Sequence, residues 1–209
     1  MFAEDWLFST QERLTDERYF PKPETVGDCI VQLVPTGPEQ DSESLAQLIY
    51  AAVTSAREAI RIETPYFVPD AAVRAALKHA AFCGVRVELV LPTRSDQPLV
   101  LWAGRSFHAD LIRAGVQIYE FEHGVLHSKL MTIDERWCMV GSANMDVRSF
   151  RLNFELTALI YDQTLAREVS AAIERHLRVS RRITPTDLRR RSFGQQMSEG
   201  VARLFAPLL

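Results

Sequence analysis

The segment HSKLMTIDERWCMVGSAN, residues 127–144, contains the polar side chains from which the chemistry of this chain is predicted. Two apolar runs flank the tripeptide DER, a pattern that predicts two strands joined by a tight turn. His127 and Lys129 are two residues apart, and on a strand that spacing directs both side chains to one face. The residues expected on the opposite face are Leu126, Ser128 and Leu130.

Four polar side chains of this stretch are chemically able to act together. A neutral imidazole such as that of His127 is a nucleophile or a general base, and the Lys129 ammonium beside it can hold an oxyanion. Ser142 and Asn144 close the second strand, where a hydroxyl and an amide can donate hydrogen bonds to the same oxygens. The set suits a phosphodiester. It has too few carboxylates to hold a pair of metal ions, so we expect neither a metal nor another cofactor.

Strand and helix patterns alternate on both sides of this stretch. The runs that predict strands are CIVQLVP, AIRIETPYF, VRVELVLP, VQIYEFE and NFELTALIYD, the first of them buried and ended by Pro35. The segments with helical patterns are DSESLAQLIYAAVTSA, PDAAVRAALKHAAFCG, QPLVLWAGRSFHADLIRAG and QTLAREVSAAIERHLRVS. Their expected boundaries are a cap at Asp41 or Ser42, a cap at Asp70, and stops at Gly84 and Gly115. The alternation predicts an α/β fold, a mixed β-sheet flanked by helices.

Three regions are expected along the chain. Residues 1–27 form a lead-in, with a short helix in MFAEDWLFSTQERL and a linker in YFPKPETVGD. Residues 28–180 form the α/β domain. Residues 181–209 form a tail with six arginines, two acidic residues and a closing set of apolar side chains. Two interpretations of the tail stay open: a terminal helix packed on the domain, or a basic, partly apolar contact with anionic lipid.

The composition excludes several classes of protein. A formal net charge of −3 gives no global attraction to nucleic acid. No apolar run reaches the roughly 18–20 residues of a membrane span, and the acidic first residues do not fit a secretion signal. The cysteines are widely spaced without a CxxC pair, so we expect reduced core residues and no structural zinc site. They are Cys29, Cys83 and Cys138.

The spacing of the polar residues resembles a known signature. The pattern is H-x-K, four residues, D, six residues, then G-S-x-N, carried here by His127, Lys129, Asp134, Gly141, Ser142 and Asn144. It resembles the phospholipase D superfamily, which uses a covalent phosphohistidine and no metal. The resemblance continues in RSFRLNFE, where Glu155 stands at the position of a carboxylate that orients the catalytic imidazole. By the same resemblance, Asp134 braces the hairpin and does not touch substrate.

Longer segments narrow the resemblance. IETPYFVPD, GVRVELVLPTRSD, LIRAGVQIYEFEHGVLHSKL and GSANMDVRSFRLNFE are similar to the carboxy-terminal half of bacterial cardiolipin synthases, from about residue 28 onward. FAEDW, residues 2–6, resembles the last helix of that family's first half. The resemblance implies one phospholipase D-like half-domain, peripheral at the bacterial cytoplasmic membrane because this chain has no transmembrane segment.

The resemblance also implies an incomplete site. In this superfamily an active site has two histidines, one from each of two similar halves. His127 has a lysine two residues on, and the other histidines, which lack one, are His79, His108, His123 and His176. The chain is therefore expected to supply half a site. The other half is either a missing amino-terminal segment, which FAEDW favours, or a second copy of this chain.

The reaction implied is phosphatidyl transfer. One histidine displaces glycerol from phosphatidylglycerol, and a second phosphatidylglycerol then attacks the phosphatidyl-histidine to give cardiolipin. His127 is either the nucleophile or the acid and base. Lys129 and Asn144 bind the non-bridging oxygens with help from Ser142.

The resemblance leaves several points open. Arg148 and Arg151 are candidates for contacting a headgroup phosphate, although exposed arginines near a site are more often structural. The expected partners are an anionic phospholipid and a second phospholipase D-like half, and not nucleic acid. One alternative is a homodimeric, single-motif phosphodiesterase or endonuclease. The other is an inert orphan half.

Overall fold

The structure is a computed structural model that describes residues 2–24, 26–38 and 44–209. The helices are α1 (Phe2–Thr10), α2 (Ser44–Ser55), α3 (Ala71–Phe82), α4 (Pro98–Arg105), α5 (His108–Arg113), α6 (Val147–Arg151), α7 (Gln163–Arg178), α8 (Pro185–Arg189) and α9 (Phe193–Leu204). The strands are β1 (Ile30–Thr36), β2 (Ala59–Glu63), β3 (Phe67–Val68), β4 (Arg86–Pro92), β5 (Gln117–Phe121), β6 (Leu130–Ile133), β7 (Trp137–Gly141), β8 (Met145–Asp146), β9 (Glu155–Tyr161) and β10 (Ser180–Arg182). Two 3-10 turns lie at Glu17–Tyr19 and Ala206–Leu208.

Eight strands form one mixed sheet in the order β1-β9-β7-β6-β2-β4-β5-β10, and β3 pairs with β8 separately. β2, β4 and β5 run parallel to one another. β6, β7, β9 and β1 continue the sheet on one side in antiparallel pairs, and β10 lies antiparallel to β5 at the other edge. The α/β class and the mixed sheet expected from the sequence are confirmed.

Helices cover both faces of the sheet. α2, α3 and α5 pack on one face over the larger core, which includes Ile60, Ile62 and Leu89. α7 packs on the other face, where a smaller apolar cluster joins Val90 to Ile173. The two cores hold the sheet rigidly between helical layers, so its edges have fixed positions.

The alternation of side chains along β2 places charged groups on the face that α7 covers. Arg61 is 4% exposed. Its guanidinium forms ion pairs of 2.7–2.9 Å with Glu88, Glu135 and Glu174. Glu63, the next residue on the same face, is fully buried. Because buried charges are tolerated when they are paired, this polar network specifies how α7 sits on the sheet.

The candidate site lies at one edge of the sheet, and this edge is formed by the ends of the strands, not by an outer strand. β2, β4, β5 and β7 end at this edge, and β6 and β9 begin there. The register pairs Glu63 with Leu130, and Gly141 with Thr157. Open α/β sheets bind ligands beyond the carboxyl ends of their parallel strands. The motif residues before β6 and after β7 therefore lie where a ligand is expected.

The expectation that the first strand is buried and ends at Pro35 is wrong. The first four residues of β1 are exposed, because β1 lies at the edge of the sheet and pairs with β9. Pro35 lies inside the strand, opposite Leu156. An edge strand tolerates proline, because one side of its backbone has no strand to bond.

Helix boundaries are confirmed in part. Asp70 caps α3 by accepting the Val73 N–H at 2.8 Å, and Gly84 and Gly115 follow helices with φ of 88° and 101°. The segment expected as one helix up to Gly115 is two helices, α4 and α5, with Ser106 between them. The alternative caps at Asp41 or Ser42 lie outside the residues that the structure describes.

The cysteines are not all core residues. Cys29 and Cys83 are exposed, so the expectation for these two is wrong; both lie beside chain turns at the surface. Cys138 is buried within β7, and burial raises the pKa of its thiol to about 11.

The lead-in and the tail differ in how they meet the domain. α1 forms as expected, ends at Thr10 and buries none of its side chains. In the tail, β10 joins the sheet, Ile183 is buried and α9 packs against α4. The expected boundary at residue 181 falls inside β10. Within residues 2–24, 26–38 and 44–209, no helix is both long and apolar enough to span a bilayer.

Candidate active site

His127 and Lys129 lie in the loop that leads into β6, and their side chains meet. Lys129 Nζ lies 3.2 Å from His127 Nδ1 and donates to the His127 carbonyl oxygen at 2.7 Å. The two side chains therefore share a direction, although both residues precede the strand, which begins at Leu130. The expectation that they belong to the strand is wrong because the neighbouring strand β2 ends at Glu63, opposite Leu130. His127 is exposed and Lys129 is half-buried.

The contact between these two side chains determines which ring nitrogen of a neutral His127 carries the proton. A lysine ammonium donates hydrogen bonds and accepts none, so Nδ1 of His127 is the acceptor and the ring proton is on Nε2. Burial lowers the pKa of Lys129, while the negative charges of Glu155 and Asp146 act in the opposite direction. The cation is thus held in contact with the imidazole and near two carboxylates.

Gly141 and Ser142 end β7 directly beside β9. A Cβ at Gly141 would lie 2.6 Å from the Leu156 carbonyl oxygen and 2.8 Å from Thr157 Cα, so glycine is required. Ser142 Oγ accepts the Leu156 N–H at 3.0 Å and lies 3.5 Å from the Leu156 carbonyl oxygen. The hydroxyl is therefore fixed at the exposed edge, and its proton has no strong acceptor there.

Asn144 is hydrogen-bonded to Ser149, and its side-chain oxygen has no partner among the described residues. Its backbone N–H and its Nδ2 donate to Ser149 Oγ at 3.1 and 3.3 Å. Its Oδ1 is buried and has no hydrogen-bond partner in the part of the chain that the structure describes. A cavity of about 20 Å³ at this point is lined by Asn144, Lys129 and Glu63. Because buried polar atoms are nearly always bonded, this amide is set to receive a further partner.

Glu155 lies near the motif without contacting the imidazole. Its carboxylate accepts a hydrogen bond from Asn153 Nδ2 at 3.1 Å. Among the described residues, no hydrogen bond joins Glu155 to His127, so the orienting contact implied by the resemblance is not formed in this conformation. Its charge acts on Lys129.

Asp134 lies at the opposite end of β6, in the turn to β7. Asp134 and Glu135 both have φ of 53°, the left-handed conformation of a tight hairpin turn. The Asp134 carboxylate accepts backbone N–H groups from Arg57, Glu58 and Ala59 at 2.8–2.9 Å. These bonds hold the start of β2 against the hairpin, so the residue supports the fold at the end of β6 far from His127.

The two arginines expected near a headgroup lie on α6. Arg148 and Arg151 are both exposed. The Arg148 N–H donates to the Leu209 carbonyl oxygen at 3.2 Å, which ties the first turn of α6 to the end of the chain. α6 is capped by Asp146, which accepts the Ser149 N–H at 2.7 Å, and burial raises the pKa of this aspartate.

Glu63 and His176 are candidates that the sequence did not reveal. Ser128, which lies between His127 and Lys129, donates a hydrogen bond to Glu63 Oε1. The other carboxylate oxygen of Glu63 accepts from His176 Nδ1 at 2.7 Å. One buried carboxylate thus holds the motif loop from the face opposite His127. The only signal was an acid at the end of the predicted strand AIRIE, and one of its partners, His176, lies 113 residues away in sequence.

A cleft of about 920 Å³ opens beside His127, and its wall carries a hydrogen-bonded pair that the sequence did not single out. The Tyr66 hydroxyl donates to Asp96 at 2.6 Å. This bond lowers the pKa of Asp96, and Asp96 lines the same cleft as His127. Burial, aided by Asp96, raises the pKa of Tyr66 to about 12.

The other histidines do not complete the site. His108 is buried, and burial together with the charges of Arg191 and Arg105 lowers its pKa to about 3. His79 and His123 are exposed, and His176 is held by Glu63. A transfer at phosphorus needs one group to attack and another to protonate the leaving oxygen. Among the described residues, His127 is the histidine that lines the open cleft and contacts a lysine, so it is the candidate for one of these two groups.

Comparison with known proteins identifies a matching family model and relatives with similar sequences. A family model described as cardiolipin synthase, PLD-like domain, matches residues 49–177. Cardiolipin synthase 2 of Staphylococcus epidermidis is 39% identical over 210 residues, which cover 100% of this chain and 43% of that protein. Cardiolipin synthase of Geobacillus kaustophilus is 40% identical over 211 residues, which cover 100% of this chain and 42% of that protein. The chain spans less than half the length of these relatives.

Solved structures share the fold. Nuc from Salmonella typhimurium, a phospholipase D family member, superposes with a TM-score of 0.64 and 20% identity, over 75% of this chain and 99% of that chain. Phosphatidylserine synthase of Haemophilus influenzae Rd KW20 gives a TM-score of 0.65 and 16% identity, over 86% of this chain and 48% of that chain. The fold implied by the resemblance is confirmed.

Proposed function

Because this chain belongs to the phospholipase D-like domain family of cardiolipin synthases, we propose that it transfers phosphatidyl groups by way of a phosphohistidine, with His127 as one of two histidines. The observation that carries the proposal is the 3.2 Å contact between Lys129 Nζ and His127 Nδ1 at the open edge of the sheet. It brings a reactive imidazole and an oxyanion contact within reach of one phosphate. The substrate we propose is an anionic phospholipid, phosphatidylglycerol.

The reaction balances in two steps. In the first, an imidazole nitrogen attacks phosphorus, a P–N bond forms, the P–O bond to glycerol breaks, and the second histidine protonates the departing alkoxide. In the second, the free hydroxyl of another phosphatidylglycerol attacks phosphorus, its proton returns to the second histidine, and the P–N bond breaks. Cardiolipin leaves and both histidines regain their starting states. His127 takes one of these two roles.

Substrate binding has to separate Lys129 from the imidazole. While Nδ1 of His127 accepts from the ammonium, Nε2 carries the ring proton and cannot attack phosphorus. A phosphate anion is a stronger partner for an ammonium than a neutral imidazole is. Lys129 therefore turns to a non-bridging oxygen. Nδ1 can then carry the proton and donate it to Glu155, which orients the ring with Nε2 free.

Ser142 and Asn144 add contacts to the same phosphate. Ser142 Oγ already accepts from Leu156, which leaves its hydroxyl proton for a phosphate oxygen. Asn144 donates to Ser149 in this conformation. Turning the amide by 180° would bring Nδ2 to the buried position of the unpartnered Oδ1, at the small cavity that Lys129 also lines, where it could donate to a substrate oxygen that enters there.

The second histidine comes from another phospholipase D-like half. The chain matches 43% of cardiolipin synthase 2 of S. epidermidis and carries one H-x-K pair. An amino-terminal half that precedes residues 28–180 accounts for both facts. The site residues of this half are then His127, Lys129, Ser142, Asn144 and Glu155, and the complete enzyme acts at the surface of the bacterial cytoplasmic membrane.

The test is cardiolipin formation from labelled phosphatidylglycerol in vesicles. The chain is assayed alone over a range of concentrations, and again joined to a phospholipase D-like segment encoded upstream of it. Transfer by the joined protein and none by the chain alone supports the proposal. Absence of transfer in both contradicts it and leaves the inert half as the explanation.

A homodimeric phosphodiesterase is the second candidate. It is favoured by the superposition on 99% of the Nuc chain, because this chain then contains nearly all of a separately solved fold. It predicts hydrolysis of a soluble phosphodiester by the chain alone, with a rate that rises with the square of its concentration. If the substrate were DNA, binding would also weaken steeply with salt.

A further inference from the structure

Helix α9 packs on the domain through a face that contains small residues, and its large apolar side chains face outward. Glu199, Ala202 and Ala206 are buried. Phe193, Leu204 and Leu208 are 79%, 77% and 70% exposed. The exposed set, here called the outer stripe, consists of Phe193, Met197, Val201, Leu204, Phe205 and Leu208.

The spacing of the outer stripe makes it one continuous surface. Its members are three or four residues apart along α9 and the following turn, which places them on one side of the helix. An amphipathic helix of a globular protein normally turns such a stripe toward the core. Here the opposite face of α9 contacts α4, so the apolar side is presented to the exterior. A contiguous exposed apolar surface is typical of an interaction site.

The charge around the outer stripe has the opposite sign to that of the whole chain. Residues 181–209 carry six arginines and two acidic residues, whereas the chain has a net charge of −3. Both acids of the tail are already paired: Glu199 with Arg191 at 2.7 Å, and Asp187 with Arg181 at 3.6 Å. Arg189 and Arg190 are exposed and precede the stripe in sequence, whereas Arg203 lies over Phe107 and pairs with Asp110 at 4.0 Å. This surface is complementary to an anionic one.

The tail also touches the elements that border the candidate site. α9 packs against α4, and the loop before α4 supplies Arg94, Ser95 and Asp96 to the cleft beside His127. The turn after α9 contacts α6, where the Arg148 N–H donates to the Leu209 carbonyl oxygen. A flat surface that binds the outer stripe would therefore lie next to the structural elements that carry the cleft.

We propose that the outer stripe and its neighbouring arginines dock the protein on an anionic phospholipid bilayer. The apolar side chains enter the boundary between headgroups and acyl chains, and the guanidinium groups contact lipid phosphates. The inference rests on burial and charge, and it does not depend on the reaction proposed for His127.

The experiment is flotation of the purified chain with vesicles of phosphatidylglycerol and phosphatidylcholine, compared with vesicles of phosphatidylcholine alone. The test variant is Phe193→Ser/Leu204→Ser, and the matched control is Phe82→Ser, because Phe82 is 70% exposed on α3. We expect the chain to float with the anionic vesicles. The double variant should bind roughly 100-fold more weakly, about tenfold for each large side chain, and the control should bind like the unchanged chain.

A second variant tests the electrostatic part. Arg189→Ser/Arg190→Ser should weaken binding to anionic vesicles and reduce its sensitivity to salt, because fewer charges are screened. Circular dichroism shows whether each variant is folded.

The proposal is overturned if the chain does not float with anionic vesicles, or if the outer-stripe variant floats like the control. It is also overturned if that variant converts a dimer to a monomer and leaves flotation unchanged, since a second copy then covers the stripe. If flotation follows these expectations and the chain joined to a complementary half forms no cardiolipin, the result counts against the proposed reaction alone.

Discussion

Glu63 accepts a hydrogen bond from the hydroxyl of Ser128, and this bond ties the motif loop to the sheet. The Glu63 carboxylate is fully buried at the end of β2 and is also bonded to His176 on α7 at 2.7 Å. Ser128 sits between His127 and Lys129, where the strand pairing of β6 has not yet begun. The loop therefore takes its position from side-chain bonds on its inner face, and catalytic groups need such support to hold their geometry.

Removing this carboxylate should destabilise the fold. Glu63→Ala leaves a cavity and two polar partners, Ser128 and His176, without their acceptor, so we expect a loss of about 2–4 kcal/mol in the free energy of unfolding. Urea denaturation measures it. The matched control is Glu168→Ala, an exposed residue on α7, which should change stability by less than about 0.5 kcal/mol. Equal denaturation midpoints for the two variants would show that Glu63 is not an anchor.

Gly141 should not tolerate a side chain. In Gly141→Ala the new Cβ meets backbone atoms of β9 at 2.6 and 2.8 Å, and neither atom can move without disturbing the sheet. We expect a loss of about 1–3 kcal/mol. In the control Gly200→Ala, the added methyl group meets no atom within 4 Å on α9, and the substitution should stabilise the helix by about 0.5–1 kcal/mol. Thermal unfolding compares the two, and a neutral Gly141→Ala would contradict the close approach.

His108 should make stability depend on pH. Burial lowers its pKa from the ordinary value of 6.5 to about 3 in the folded protein, so the unfolded chain binds more protons between these values. Stability from this residue is therefore complete above about pH 6.5 and falls as the pH drops toward 3, with a slope approaching 1.4 kcal/mol per pH unit. Urea titrations from pH 7 to 4 should show that difference between the unchanged chain and His108→Gln. The exposed His79→Gln serves as the control, and a pH-independent difference for His108→Gln would refute the prediction.

The sequence predicts the layers of this fold well, because local signals indicate where each strand and helix begins and ends. The alternation of Ile60 and Ile62 with Arg61, and the capping and stop signals at Asp70 and Gly84, act locally and are legible in the chain. The position of a strand within the sheet is not local. CIVQLVP is as apolar as a central strand, and its place at the edge depends on β9, more than 100 residues away.

In the candidate site, too, the sequence predicts local contacts and misses contacts between distant elements. The spacing of His127 and Lys129 predicts a shared direction, and the contact between them is present. The support beneath them comes from Glu63 and His176, which lie on different elements and follow no spacing rule. The Glu155 contact was expected from resemblance, and in this conformation Glu155 is bonded to Asn153. The contact between Glu155 and His127 stays a prediction.

The most direct measurement of the central claim is cardiolipin formation from phosphatidylglycerol by the chain joined to a complementary phospholipase D-like half, with His127→Ala compared with His79→Ala. Circular dichroism establishes that both variants are folded. If His127 is the nucleophile or the acid and base, its loss should lower the rate at least about 100-fold, while His79→Ala keeps the rate of the unchanged protein. Cardiolipin formation by folded His127→Ala at the unchanged rate would contradict the account.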